Sequence, residues 1–197
     1  MSKKVVTISL FGATAVGKST INKILSSKIS NATRLPLDYC LKSKKPDESF
    51  EEYFLRDNVD WDYVENVLTE SIGTPISLSK FDYDQFVRTS QTGGKAFVMD
   101  KIVLLDGVYP YRKADYVIGL TVDEDIRKGR LLKRHLNERK QKDSTWVNFC
   151  LKNWDRLEEP VEKYRDICNL VIDTKQNIDK SILQIENLIR DTIRIAE

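Results

Sequence analysis

Gly12-Ala13-Thr14-Ala15-Val16-Gly17-Lys18-Ser19 fits the pattern G-x-x-x-x-G-K-[ST] at every fixed position. Its surroundings agree with it. Val5 to Phe11 is a β-branched, apolar run suited to a buried parallel strand, and Ser19 to Ile29 carries apolar residues at helical spacing. Strand, loop and helix in that order make a phosphate cradle. Gly12 and Gly17 allow backbone angles that let successive N–H groups turn inward, and the helix N-terminus adds positive potential. Residues Gly12 to Thr20 are therefore the candidate nucleotide-binding segment. Lys18 is placed on the β- and γ-phosphates and the Ser19 hydroxyl on Mg²⁺, while Thr20 is expected to pack or cap.

Working outward, apolar strands alternate with amphipathic helices along the chain. Thr33 to Leu37 reads as a short strand, Ser49 to Leu55 and Trp61 to Ile72 as helices, and Asp60 as an N-cap. Phe81 to Thr89 and Lys95 to Met99 flank Thr92-Gly93-Gly94, which predicts a hairpin projecting over about residues 81–99. Lys101 to Leu105 and Asp115 to Val122 are core strands. Asp123 is expected to cap a basic helix that opens a lid over about residues 123–145. Trp146 to Tyr164, the strand Leu170 to Asp173 and the helix Ile178 to Ile195 complete the chain. Such alternation implies right-handed crossovers and a mainly parallel sheet covered on both faces. The expected fold is α/β, a three-layer P-loop NTPase fold with a projecting hairpin and a helical lid, and the expected organisation is one domain over residues 1–197.

Composition narrows the partners. The 197 residues are 41% hydrophobic and 31% charged, and 32 basic against 30 acidic residues leave a net charge of +2, without the cationic excess of a nucleic-acid binder. Cys40, Cys150 and Cys168 form no CxxC pair, so neither a disulfide framework nor a zinc site is expected, and a reducing cytoplasm is. No run of about 18 apolar residues exists. A small-molecule partner is expected, with no nucleic acid or membrane; a homo-oligomer is left open.

Three further groups carry chemistry. Lys101 to Gly107 has the form of a buried strand ending in an acid, which makes Asp106 the candidate second Mg²⁺ residue beside Ser19. Asp38 follows the second strand, where it could take a proton from an attacking hydroxyl, although taken alone it reads first as a turn or cap residue. Arg127, Arg130, Lys133 and Arg134 recur at spacings of three and four, so one helix face could cover a triphosphate; Arg127 and Arg130 are the candidate catalytic arginines. Arg139 lies further along the same run, and His135 reads as surface or lid packing. A guanine reader of the NKxD type is lacking, since the nearest string, Thr174-Lys175-Gln176-Asn177, has no aspartate.

In this order of parts the chain resembles the uridine kinase and phosphoribulokinase group of P-loop kinases over nearly its whole length. The matching pieces are Asp38-Tyr39-Cys40 for a D-x-F-Y motif, and Asn58-Val59-Asp60-Trp61-Asp62 for an N-F-D segment. Phe81 to Arg88 stands for Y-D-F-x-x-H-S-R, Asp106-Gly107 for E-G, and Asp123 to Arg130 for the lid pattern D-x-D-x-R-x-x-R. The resemblance implies an ATP- and Mg²⁺-dependent transfer of the γ-phosphate to a hydroxyl of a nucleoside or nucleoside-like molecule, with Asp38 as general base. Asp60, or Asp62 in a shifted alignment, would hold acceptor hydroxyls. Arg88 would contact the acceptor or brace the hairpin, and Arg134 is placed with the acceptor contacts. Phe81 and Phe86 occupy positions where the family uses a tyrosine and a histidine to read a pyrimidine, and they cannot form those hydrogen bonds. Nicotinamide riboside, pantothenate or a sugar thus stand as alternative acceptors. A nucleotide-binding regulatory protein with a decayed acceptor pocket is the reading from another class.

Overall fold

The computed structural model describes residues 5–82, 85–89, 96–134, 145–154 and 160–196. Val6–Phe11 (β1) enters the phosphate loop, and Lys18–Lys28 (α1) leaves it. Ala32–Pro36 (β2), Phe50–Leu55 (α2) and Trp61–Leu68 (α3) follow. Four three-residue strands come next: Pro75–Ser77 (β3), Lys80–Asp82 (β4), Val87–Thr89 (β5) and Ala96–Val98 (β6). Ile102–Gly107 (β7), Tyr116–Thr121 (β8), Glu124–Lys133 (α4), Thr145–Lys152 (α5) and Pro160–Lys163 (α6) lead to Leu170–Asp173 (β9), Ile178–Leu188 (α7) and Arg190–Ala196 (α8).

The main sheet has the order β2-β7-β1-β8-β9, and every pairing in it is parallel. On one face, Ile8, Leu10, Ile102, Leu104, Ile118 and Leu120 pack against Ile21 and Leu25 of α1 and Ile182 and Ile185 of α7. On the other, Leu35, Val103 and Leu105 meet Val64 and Val67 of α3, while Phe11 and Val117 meet Val161 of α6. Both faces are covered, which is why β7 reads as an apolar run up to Asp106 and why even Thr7 and Ser9 of β1 are buried. The expected three-layer P-loop NTPase fold is present.

The hairpin region departs from expectation. Among the described residues β4 pairs with β5 and β6 pairs with β3, while the expected turn Thr92-Gly93-Gly94 lies outside the described residues. Between β4 and β5, Phe86 adopts φ +55° and the Gln85 amide donates to Asp82 Oδ1 at 3.0 Å. A phenylalanine in left-handed conformation is costly. Its ring is buried against Phe50, Phe54, Tyr53 and Phe81, and that aromatic packing offsets the strain.

Smaller corrections concern helix ends. Helix α3 stops at Leu68, and beyond it Gly73, at φ +87°, turns the chain and donates its amide to the Met99 carbonyl. Of the helical stretch expected over 146–164, the described residues show Thr145–Lys152 and Pro160–Lys163, and residues 155–159 lie outside them. Ile189 breaks the closing helix into α7 and α8. Asp123 stands at the N-cap of α4, but its carboxylate accepts from Lys175 Nζ at 2.7 Å instead of capping. Ser49 heads α2 with a full capping box closed by Glu52.

At the N-terminal edge of the sheet Asp115 Oδ2 accepts from both the Thr7 amide and the Thr7 hydroxyl at 2.9 Å, and the Asp115 amide returns a bond at 3.1 Å. This joins β1 to the start of β8 at the end away from the phosphate loop. Asp115→Ala is expected to lower stability by about 1–3 kcal/mol in urea unfolding while leaving nucleotide affinity unchanged.

Candidate active site

The loop from Gly12 to Gly17 is shaped by three residues with positive φ: Gly12 at 151°, Ala15 at 67° and Gly17 at 110°. A Cβ on Gly12 would lie 2.4 Å from the Leu120 carbonyl oxygen, so the loop runs flush against β8. The left-handed angle at Ala15 is what the sequence does not announce, since an alanine gives no sign of it. Val16 is fully buried and anchors the loop in the core below. Lys18 Nζ donates to the carbonyls of Gly12 and Ala13 at 2.8 and 2.9 Å, which holds the ammonium over the loop's own mouth. The exposed Thr20 sends its amide to Gly17 O at 3.1 Å in the first turn of α1.

Strand register sets the acids beside this loop. Leu10 pairs with Asp106 and Asp106 with Pro36, so β1, β7 and β2 end in one row. Asp106 is 5% exposed, and its Oδ2 accepts from Ser19 Oγ at 2.9 Å. A serine hydroxyl and one carboxylate are oxygen donors of the kind Mg²⁺ takes together with phosphate oxygens and water, so this pair fits the expected ion. Among the described residues no group of three or more His, Cys, Asp or Glu could hold a metal by itself.

Asp38 lies two residues beyond β2, exposed in the short 3₁₀ turn Leu37–Cys40, at the same edge of the sheet. That turn rests on Gly107. A Cβ there would come within 2.7 Å of Leu37 Cδ1, which gives the glycine after Asp106 a packing reason. Gly107→Ala is expected to displace the Asp38 turn and lower turnover by about tenfold or more, with nucleotide affinity nearly kept; steady-state kinetics beside a binding titration separate the two.

The hairpin side is held by Arg88. Its Nη1 donates to Asp60 Oδ2 at 2.8 Å, its Nε donates to Leu41 O at 3.0 Å, and its guanidinium stacks 4.6 Å from the Tyr63 ring centre. Asp60 also caps α3 through the Tyr63 amide at 3.3 Å, whereas Asp62 is exposed in that helix's first turn. Of the two readings of Arg88, the contacts are those of a brace. Phe81 and Phe86, 5% and 8% exposed, belong to the aromatic cluster that docks the hairpin on α2. Cys40 packs with Leu37, Val59 and Val64, its thiol pushed up to about 12, first by burial; the Arg88 charge opposes that rise.

The lid arginines divide. Arg127 is 6% exposed, with its guanidinium stacked 4.5 Å from the Trp154 ring centre. Trp154, Leu131 and Cys150 form a small cluster packed on Ala15, which fastens α4 and α5 to the phosphate loop. Arg130 Nη1 donates to Val16 O at 3.1 Å and to Thr174 Oγ1 at 2.9 Å, and its Nη2 donates to Thr174 O at 2.9 Å. Thr174 Oγ1 in turn donates to Val16 O at 2.7 Å. Arg130 thus clasps the loop to the turn after β9. Arg134 is half-buried just beyond α4, and His135 and Arg139 lie outside the described residues. Thr174 was missed because only the fold brings residue 174 to residue 16. Arg130→Ala is expected to weaken nucleotide binding about tenfold or more. Arg130→Lys should fail to restore it, since an ammonium cannot span both carbonyls.

A strand–loop–helix phosphate cradle with an acid at the end of the neighbouring strand defines a P-loop nucleotide-binding fold. Residues 8–155 match the family described as AAA domain, and the chain belongs to it. No curated protein matches the chain. Among solved structures it resembles a protein described as a fructose transport system kinase from a Silicibacter species. Identity is 17%, TM-score 0.60, and 86% of this chain and 90% of that one are covered. It also resembles the shikimate kinase of Acinetobacter baumannii in complex with shikimate, at 17% identity and TM-score 0.51, covering 96% of each chain. These likenesses are of fold. All three cysteines are free thiols. Among the described residues no helix is long and apolar enough to cross a membrane.

Proposed function

We propose that the protein is a P-loop kinase that moves the γ-phosphate of ATP to a hydroxyl of a nucleoside or nucleoside-like small molecule. The observation that carries this reading is the 2.9 Å bond between Ser19 Oγ and Asp106 Oδ2, because it joins the phosphate loop to the carboxylate of the adjacent strand. Asp38 stands at the same sheet edge. The fold's likeness to two proteins described as kinases supports the class.

In this reading the amides of residues 12–18 bind the β-phosphate, and Lys18 follows the charge as it passes to the γ-phosphate. Ser19 and Asp106 would hold Mg²⁺, which would supply positive charge against the phosphates. Asp38 accepts the acceptor's hydroxyl proton while that oxygen bonds to the γ-phosphorus and the β–γ bridging oxygen leaves with ADP. Arg127, buried against Trp154, supplies positive charge from the lid side. Water exclusion falls to the lid, since water would otherwise compete as acceptor.

The acceptor need not be uridine: the phenyl rings of Phe81 and Phe86 offer a pyrimidine no hydrogen bond. Nicotinamide riboside, pantothenate or a sugar fits the site's chemistry equally, and Asp60 and Arg134 are the polar groups assigned to it. Burial of both rings also favours a second reading, a nucleotide-binding regulatory protein that transfers phosphate slowly or not at all.

An ADP-release screen across nucleosides, vitamins and sugars separates the two. One acceptor well above background is expected; none at all would support the regulatory protein. With that acceptor, Asp38→Asn is expected to cut transfer by about 10²-fold or more with ATP binding nearly intact. Undiminished transfer in the variant would remove Asp38 as the base.

A further inference from the structure

Asp106 has a second set of partners that the reading above does not use. Helix α1 carries Ser19 and Asn22 three residues apart, hence on one face. Ser19 Oγ bonds Oδ2 of the carboxylate, while Asn22 Nδ2 donates to Oδ1 at 2.9 Å and to Leu104 O at 3.3 Å. Arg34, on the neighbouring strand β2, brings its Nη2 within 3.8 Å of the same Oδ1. The two oxygens are therefore differentiated. Oδ1 is engaged by the protein interior, and Oδ2 is presented beside Ser19.

Asn22 is fully buried amid the apolar positions Ile21 and Leu25, and its Oδ1 finds no hydrogen-bond partner; neither does Nε of Arg34. An unsatisfied buried acceptor is destabilising, and an aliphatic side chain would fill this site without that cost. The donor half of the amide is what the position retains, and it points at Asp106.

We propose that Asn22, assisted by Arg34, is a positioning residue for metal binding: it fixes the Asp106 carboxylate so that Oδ2 alone faces the cation held with Ser19. This inference rests on the Mg²⁺–nucleotide reading above. Groups that orient a ligating carboxylate typically change metal affinity by about 10–100-fold when removed.

The test is a Mg²⁺ titration of fluorescent mant-ATP binding to the full chain, with parallel titrations in EDTA and with circular dichroism confirming the fold. For Asn22→Ala the Mg²⁺ concentration giving half of the affinity gain is expected to rise about tenfold, with EDTA affinity unchanged. In an Asp106→Asn background the same substitution should add nothing. An unshifted Mg²⁺ requirement, or a shift that persists without the Asp106 carboxylate, would overturn the assignment. If Asn22→Ala does not fold, Asn22→Ser is held to the same criteria. Failure of both to fold would make Asn22 a core residue and also overturn it. Loss of any Mg²⁺ effect in the wild-type chain would count against the nucleotide reading itself and so stands apart from these outcomes.

Discussion

There is no room for a side chain at Gly12. The Leu120 carbonyl occupies the space at 2.4 Å from where a Cβ would be, and the loop that follows is pressed between the end of β8 and the start of α1. That close approach turns the loop's amides toward one point. It requires β8 to lie directly beside β1, and that parallel pairing is present. The glycine thus ties the phosphate cradle to one step of the sheet order, β1 next to β8.

From that constraint the charged groups follow by register. Asp106 ends the strand beside β1, and the Asp38 turn follows the strand beside that, so both acids reach the edge where the loop opens. The arginines act mainly as fasteners. Arg130 ties the loop to the β9–α7 turn, Arg88 ties the hairpin to α3 and to the strand exit at Leu41, and Arg34 backs the Asp106 carboxylate. Arg88 and Asp60, with 18% and 24% of their side chains exposed, are largely withdrawn from water, and their close bonded geometry offsets that desolvation. A cradle for a highly charged ligand needs stiff walls, and these pairs supply them.

The parts legible in the sequence were those set by local pattern. Gly12 to Ser19, the apolar strands and Asp106 could be read because loop chemistry and strand burial leave short-range signatures. The hairpin could not. Phe86, between β4 and β5, adopts a conformation expected of glycine, a choice decided by rings on α2 more than thirty positions away in sequence. Arg130 showed only as one of a basic row, since the partner that defines it, Thr174, approaches through the sheet. Asn22 carried a weak signal, an amide on an otherwise apolar helix face, whose meaning needed Asp106 beside it.

The central claim is geometric, and a crystal structure of the full chain with Mg²⁺ and a non-hydrolysable ATP analogue tests it most directly. The account predicts the β-phosphate ringed by the amides of residues 12–18 and the metal between Ser19 Oγ and Asp106 Oδ2. Phosphates lying elsewhere, or a metal that leaves Asp106 bonded to protein groups alone, would contradict it.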